Sequence, residues 1–245
     1  MRFFNYFPYS REPVDERMEK KIFRYSLIIP SFFVAVFWLV RIIESVFDLD
    51  FTTCGIFPLH WKGLPGILLA PFIHGDFKHL GANTVPFFIL SSALFYFYRK
   101  LAYRIFILLF LLSGTCVWLG GREAWHIGSS GLVYGMASFL FFSGIFRSDA
   151  RLLTIGLIVA FLYGSMFWGI FPVLPEISWE SHFWGAVSGL VLSYFYRKQG
   201  PQRQKQEWED EPDEDENPGT DAECEENAMD ELQKENIMND LNLNK

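Results

Sequence analysis

Six long apolar runs bounded by charge dominate this chain, at residues 26–47, 80–98, 103–120, 130–146, 152–171 and 179–196. About twenty apolar residues carry a helix across a bilayer core. Backbone at that depth must satisfy its own hydrogen bonds, so runs of this length fold as helices. The expectation is an all-α membrane protein with six transmembrane helices. Pro30 and Pro86 fall inside the first two runs, where a membrane helix accommodates a kink. Lys20, Lys21 and Arg24 precede the first run as they would in a signal peptide. That run is long, lacks a clean small-residue cleavage site and is followed by five more, so it reads as a retained first helix.

Charge is segregated along the chain. The net charge is −7, but residues 1–198 carry +5 and the residues beyond Gln199 carry −12. Together with 51% hydrophobic residues, this excludes a simple nucleic-acid-binding domain and a collagenous or wholly disordered chain. Three parts are expected: a cytoplasmic segment at 1–25, a six-helix domain at 26–198, and an acidic, disordered cytoplasmic tail at 199–245. Lys and Arg cluster before the first run and in alternate connections, at Arg99, Lys100 and Arg104, at Arg147 and Arg151, and at Arg197 and Lys198. By the positive-inside rule both termini are cytoplasmic, and the loops at 48–79, 121–128 and 172–178 face outward. The first of these loops is as apolar as the spans, with Phe57, Leu59, Trp61, Leu64, Leu68 and Leu69, and should lie partly in the membrane interface. Cys54, Cys116 and Cys224 fall in three different environments, and no pair suggests a disulfide or a metal knuckle.

Ionisable and polar groups at membrane depth are costly, which makes them functional candidates. Three clusters stand out. His74-Gly75-Asp76-Phe77-Lys78-His79 leads to Asn83, and His79 and Asn83 share a helix face. Gly128-Ser129-Ser130-Gly131 opens the fourth run, with Tyr134 one turn on. His182 stands alone in the sixth. At 1.5 Å per residue, Ser130 and His182 lie about 26 Å and 21 Å above the cytoplasmic ends of their helices, so they can meet in the outer half of the bilayer. Gly131 with Gly135, and Gly185 with Gly189, form small-xxx-small faces that allow these helices to approach closely. A serine beside a histidine is a nucleophile with its general base, the minimum for acyl transfer. Asn83, His79 and the backbone N–H of Ser130 are candidate donors to the oxyanion that would form.

His74 and His79 five apart, Asn83 four further on, Gly128-x-Ser130-Gly131 at the head of the fourth helix, Tyr134, and His182-x-x-Gly185-x-x-x-Gly189 in the sixth together resemble the rhomboid family of intramembrane serine proteases. The resemblance implies a six-helix rhomboid-like bundle and a catalytic dyad of Ser130 and His182 with no acidic third member. It implies an oxyanion site from Asn83, His79 and the backbone around Gly128 and Ser130, with Tyr134 stacked near His182. His74, Gly131, Gly185 and Gly189 would be supporting residues. In that family the fifth helix and an outer cap loop move to admit substrate, here 152–171 and 172–178. No metal or organic cofactor is implied. The partners would be transmembrane protein substrates and membrane lipids, not nucleic acid, and the setting a bacterial plasma membrane. Ser129, adjacent to Ser130, offers a second hydroxyl, and the family frame assigns the nucleophile to Ser130. The Trp-Arg pair common in the family's first outer loop has only Trp61-Lys62 as a loose substitute. Two other readings are a catalytically silent relative that binds membrane clients and a small-solute transporter. Silent relatives usually lack the serine or the histidine, and a transporter would show repeats or further acidic residues in its spans.

Overall fold

The computed structural model describes residues 16–162, 169, 171 and 178–200, and among these the regular structure is helical apart from one isolated β-bridge. The start of the N-terminal segment (1–15), the end of the fifth run, nearly all of the expected cap loop and the acidic tail beyond 200 lie outside the described residues.

The helices are α1 (Glu16–Ser26), α2 (Ile28–Phe47), α3 (Gly66–Leu69), α4 (Phe77–Tyr98), α5 (Lys100–Gly120), α6 (Ser130–Arg147), α7 (Ala150–Leu162) and α8 (Trp179–Phe195). The first helical stretch begins earlier than its apolar run. Glu16 and Glu19 at the start of α1 and Arg24 at its end match the helix dipole. After a break at Leu27, Pro30 sits in the first turn of α2, where its missing N–H costs nothing. Likewise α4 starts at Phe77 rather than at residue 80. The Asp76 carboxylate accepts from the His79 N–H at 2.7 Å and caps the helix. That bond holds the exposed carboxyl below its usual range.

Among the described residues four helical stretches, Glu16–Phe47, Phe77–Tyr98, Leu101–Gly120 and Ser130–Arg147, are long and apolar enough to cross a membrane. The sequence expectation was six. The last run folds as α8 with 17 residues, and its first turn carries Glu180 and Ser181, both buried against protein. Among the described residues the fifth run is helical as far as Leu162, within α7 of 13 residues.

α6 lies at the centre, buried along most of its length between α4, α5, α7 and α8. Its contact with α8 is the most extensive between helices among the described residues, and glycine makes it possible. A Cβ on Gly185 would collide with the carbonyl oxygen of Gly131, and one on Gly189 with that of Gly135. Arg147, placed in a connection by the sequence reading, is the last residue of α6. It is buried and donates to the carbonyl oxygens of Tyr196 and Gln199, closing the end of α8. Gly185→Val is expected to force α6 and α8 apart at a cost of about 1–3 kcal/mol. Gly81→Ala, in open space on α4, should leave stability unchanged or slightly raised. Thermal denaturation in detergent separates the two.

The loop between α2 and α4 folds onto the one between α5 and α6. Ile56 and His126 exchange backbone hydrogen bonds of 2.9 and 2.8 Å, and the Gly128 N–H donates to the Ala70 carbonyl at 2.8 Å. Phe33, Phe37, Phe72, Phe87 and Phe106 form an aromatic cluster beneath it, and His74 rests 5.5 Å from Phe37 between ring centroids. Leu59, Trp61, Leu64, Leu68 and Leu69 are left exposed on the loop's far side. Such a face suits a membrane interface.

Candidate active site

Ser130 is the first residue of α6 and Tyr134 stands one helical turn behind it. The Tyr134 ring stacks on the His182 imidazole of α8, with centroids 4.1 Å apart and planes 10° from parallel. Residues i and i+4 share a helix face, so this stack lays the imidazole against the face that Ser130 begins. Ser130 and His182 are each 8% exposed. His182 Nδ1 lies 2.8 Å from the Gly169 carbonyl oxygen. A carbonyl can only accept, so Nδ1 carries the hydrogen and the neutral ring keeps its lone pair on Nε2. Among the described residues no hydrogen bond joins Ser130 Oγ to the imidazole. Catalytic hydrogen bonds are often long before substrate arrives.

Gly128, at φ +98°, brings the backbone round to the start of α6. A Cβ there would stand 2.9 Å from His79 Cε1, so only glycine lets that ring reach the turn, while Asn83 Nδ2 would lie at an ordinary contact distance of 3.8 Å. Asn83 is buried, and its Nδ2 has no hydrogen-bond partner among the described residues. An unpaired buried donor costs about 1–3 kcal/mol, a cost that an incoming acceptor would relieve. The three residues therefore offer a cradle for negative charge beside the serine's helix N-terminus.

His74 serves a different serine. Its Nε2 is 3.4 Å from Ser129 Oγ and 3.5 Å from the Ser129 N–H, and its ring meets His79 edge-on at 5.2 Å. Burial pulls His74 down to about 3, with nearby His79 acting in the same direction, so it is neutral and can accept from Ser129. Ser129 and His74 are 0% and 1% exposed.

Sequence reasoning passed over a second group of residues just outside this site. Arg122 Nε pairs with buried Glu180 at 3.4 Å, His126 Nδ1 lies 2.5 Å from Ser178 Oγ, and Ser178 Oγ lies 2.7 Å from Ser181 Oγ. One signal was available: Ser178 reads as an N-cap immediately before the last helix. His126 stood in a loop with no period to betray its partner.

A model of the Rhomboid domain matches residues 62–199, more than half of the chain. The chain belongs to the rhomboid family. An uncharacterized protein of Mycobacterium tuberculosis and another of Mycobacterium bovis are each 34% identical to this rhomboid over 171 residues, covering 66% of this chain and 71% of theirs. One from Mycobacterium leprae is 32% identical over 171 residues, covering 68% of its length. With its apolar helices, this rhomboid is an integral membrane protein of a family of intramembrane proteases.

Proposed function

We propose that this rhomboid is an intramembrane serine endopeptidase that cleaves transmembrane segments of membrane-anchored proteins, with Ser130 as nucleophile and His182 as general base. The observation that carries the reading is the Tyr134–His182 stack, which holds the imidazole against the face of α6 that Ser130 begins. In the first step the Ser130 hydroxyl proton moves to His182 Nε2 as Oγ bonds to the substrate's carbonyl carbon. The oxyanion is met by Asn83 Nδ2, His79 and the backbone N–H groups around Gly128 and Ser130. Collapse breaks the C–N bond, and the leaving amine takes the proton from Nε2. A water then repeats the sequence on the acyl-enzyme, giving up its proton to Nε2 and releasing the acid and Ser130.

The reading extends to six spans, with 152–171 and 179–196 completing the bundle, both termini in the cytoplasm of a bacterial cell, and an acidic disordered tail. Substrate would enter beside the fifth helix under the 172–178 loop. The test is cleavage of a panel of single-span reporter proteins by the purified protein in lipid, with Ser130→Ala alongside. Ser130-dependent cleavage of at least one reporter is expected. Absence of any such cleavage, with the fold intact, favours a silent client-binding relative.

The oxyanion donors give a graded expectation. Removing one of several donors costs about 10²–10³ in rate. Asn83→Ala should therefore lower kcat by that amount with KM little changed, and steady-state kinetics on a cleaved reporter reads it directly. An unchanged kcat would assign the charge stabilisation elsewhere.

A further inference from the structure

The nucleophile's helix and the base's helix are joined at their outer ends by more than glycine packing. His126 Nε2 lies 3.1 Å from the Arg122 carbonyl oxygen, so Nε2 is the donor and Nδ1 the acceptor of a neutral ring. The Ser178 hydroxyl must then donate to Nδ1, leaving its oxygen to accept from the Ser181 hydroxyl. Ser178 is the N-cap of α8, yet its side chain caps no N–H of that helix. An N-cap serine ordinarily accepts from the first turn. Here the hydroxyl is given to the loop at 121–128 instead. Arg122 of the same loop pairs with Glu180 in the same first turn of α8. His126 is itself buried, and its backbone is clamped to Ile56. Burial holds it below the usual histidine range, in keeping with a neutral ring.

We infer that His126 is a positioning residue: through Ser178 and Ser181 it fixes the first turn of α8, and with it the depth and angle of His182 against α6. The consequence for catalysis rests on the protease reading, whereas the link itself does not. A misplacement of about 1 Å at a catalytic group can cost 10²-fold in rate, and Ser181 immediately precedes His182.

The test uses the full chain in lipid, with two readouts. Hydrogen exchange of the amides at 179–182 reports the link, and kcat against KM on a single-span reporter reports its consequence. His126→Leu should lower protection of those amides at least about tenfold and kcat by about 10–10²-fold, with KM within about threefold. His126→Asn keeps an acceptor near the Nδ1 position and should restore most of both. Ser178→Ala should reproduce His126→Leu, and the double variant should be no worse than either, because one link is broken from two sides. If His126→Leu leaves protection of 179–182 unchanged, or His126→Asn is as impaired as His126→Leu, the inference is overturned. If wild type shows no Ser130-dependent turnover, the protease reading falls, and the exchange measurements still decide the link.

Discussion

Ser130→Ala should abolish both turnover and labelling by a serine-directed covalent probe, whereas Ser129→Ala should retain both. The two hydroxyls are adjacent in sequence, and each has a histidine near it, so chemistry alone does not separate them. Their surroundings do. Ser129 Oγ faces His74 Nε2 at 3.4 Å, but that pair is sealed, with 0% and 1% of the two residues exposed. Ser130 opens α6 next to Gly128, with His182 stacked on the tyrosine one turn behind. Loss of the nucleophile should lower kcat by on the order of 10⁴-fold or more. Ser129→Ala should instead loosen the join between the His74 loop and α6, seen as a lower thermal midpoint with the label intact. Probe labelling that persists in Ser130→Ala would sink the assignment.

The second large effect is expected at His182. His182→Ala should reduce turnover as far as Ser130→Ala does, and the double variant should fall no further, because the two act as one unit. Only a neutral imidazole can take the serine proton. Activity should therefore fall as pH drops through the titration of His182, by about tenfold per pH unit below it, and level off above. The bond from Nδ1 to the Gly169 carbonyl fixes which nitrogen is free, so on the proposed mechanism Nε2 and not Nδ1 would be the base. Tyr134→Phe keeps the stack and should stay within a few-fold of wild type. Tyr134→Ala removes it and should lower kcat with the acid limb still present. Reporter cleavage by His182→Ala at near-normal rate would exclude the dyad.

Much of the helical framework could be read directly from residue order. Hydrophobic length and flanking charge depend only on neighbours along the chain, and the same holds for the motif Gly128-Ser129-Ser130-Gly131 and for the glycines at 131, 135, 185 and 189. The close approach of α6 and α8 was legible because a glycine stripe at helical spacing has few other uses. Where helices begin was less legible. Asp76 and Ser178 are both cap-type residues, and one caps its helix while the other donates to a loop 52 residues away.

The remainder depended on contacts between residues far apart in the chain. Ser129 is tied to a histidine 55 residues earlier, His126 to Ser178, and the loop before α4 to the one before α6 through Ile56 and Ala70. Loops carry no periodicity, and a hydrogen bond between two of them leaves no local trace. A chemical pattern and the resemblance it carries could therefore nominate Ser130 and His182, but the sealing of Ser129 against His74 exists only once the helices have packed.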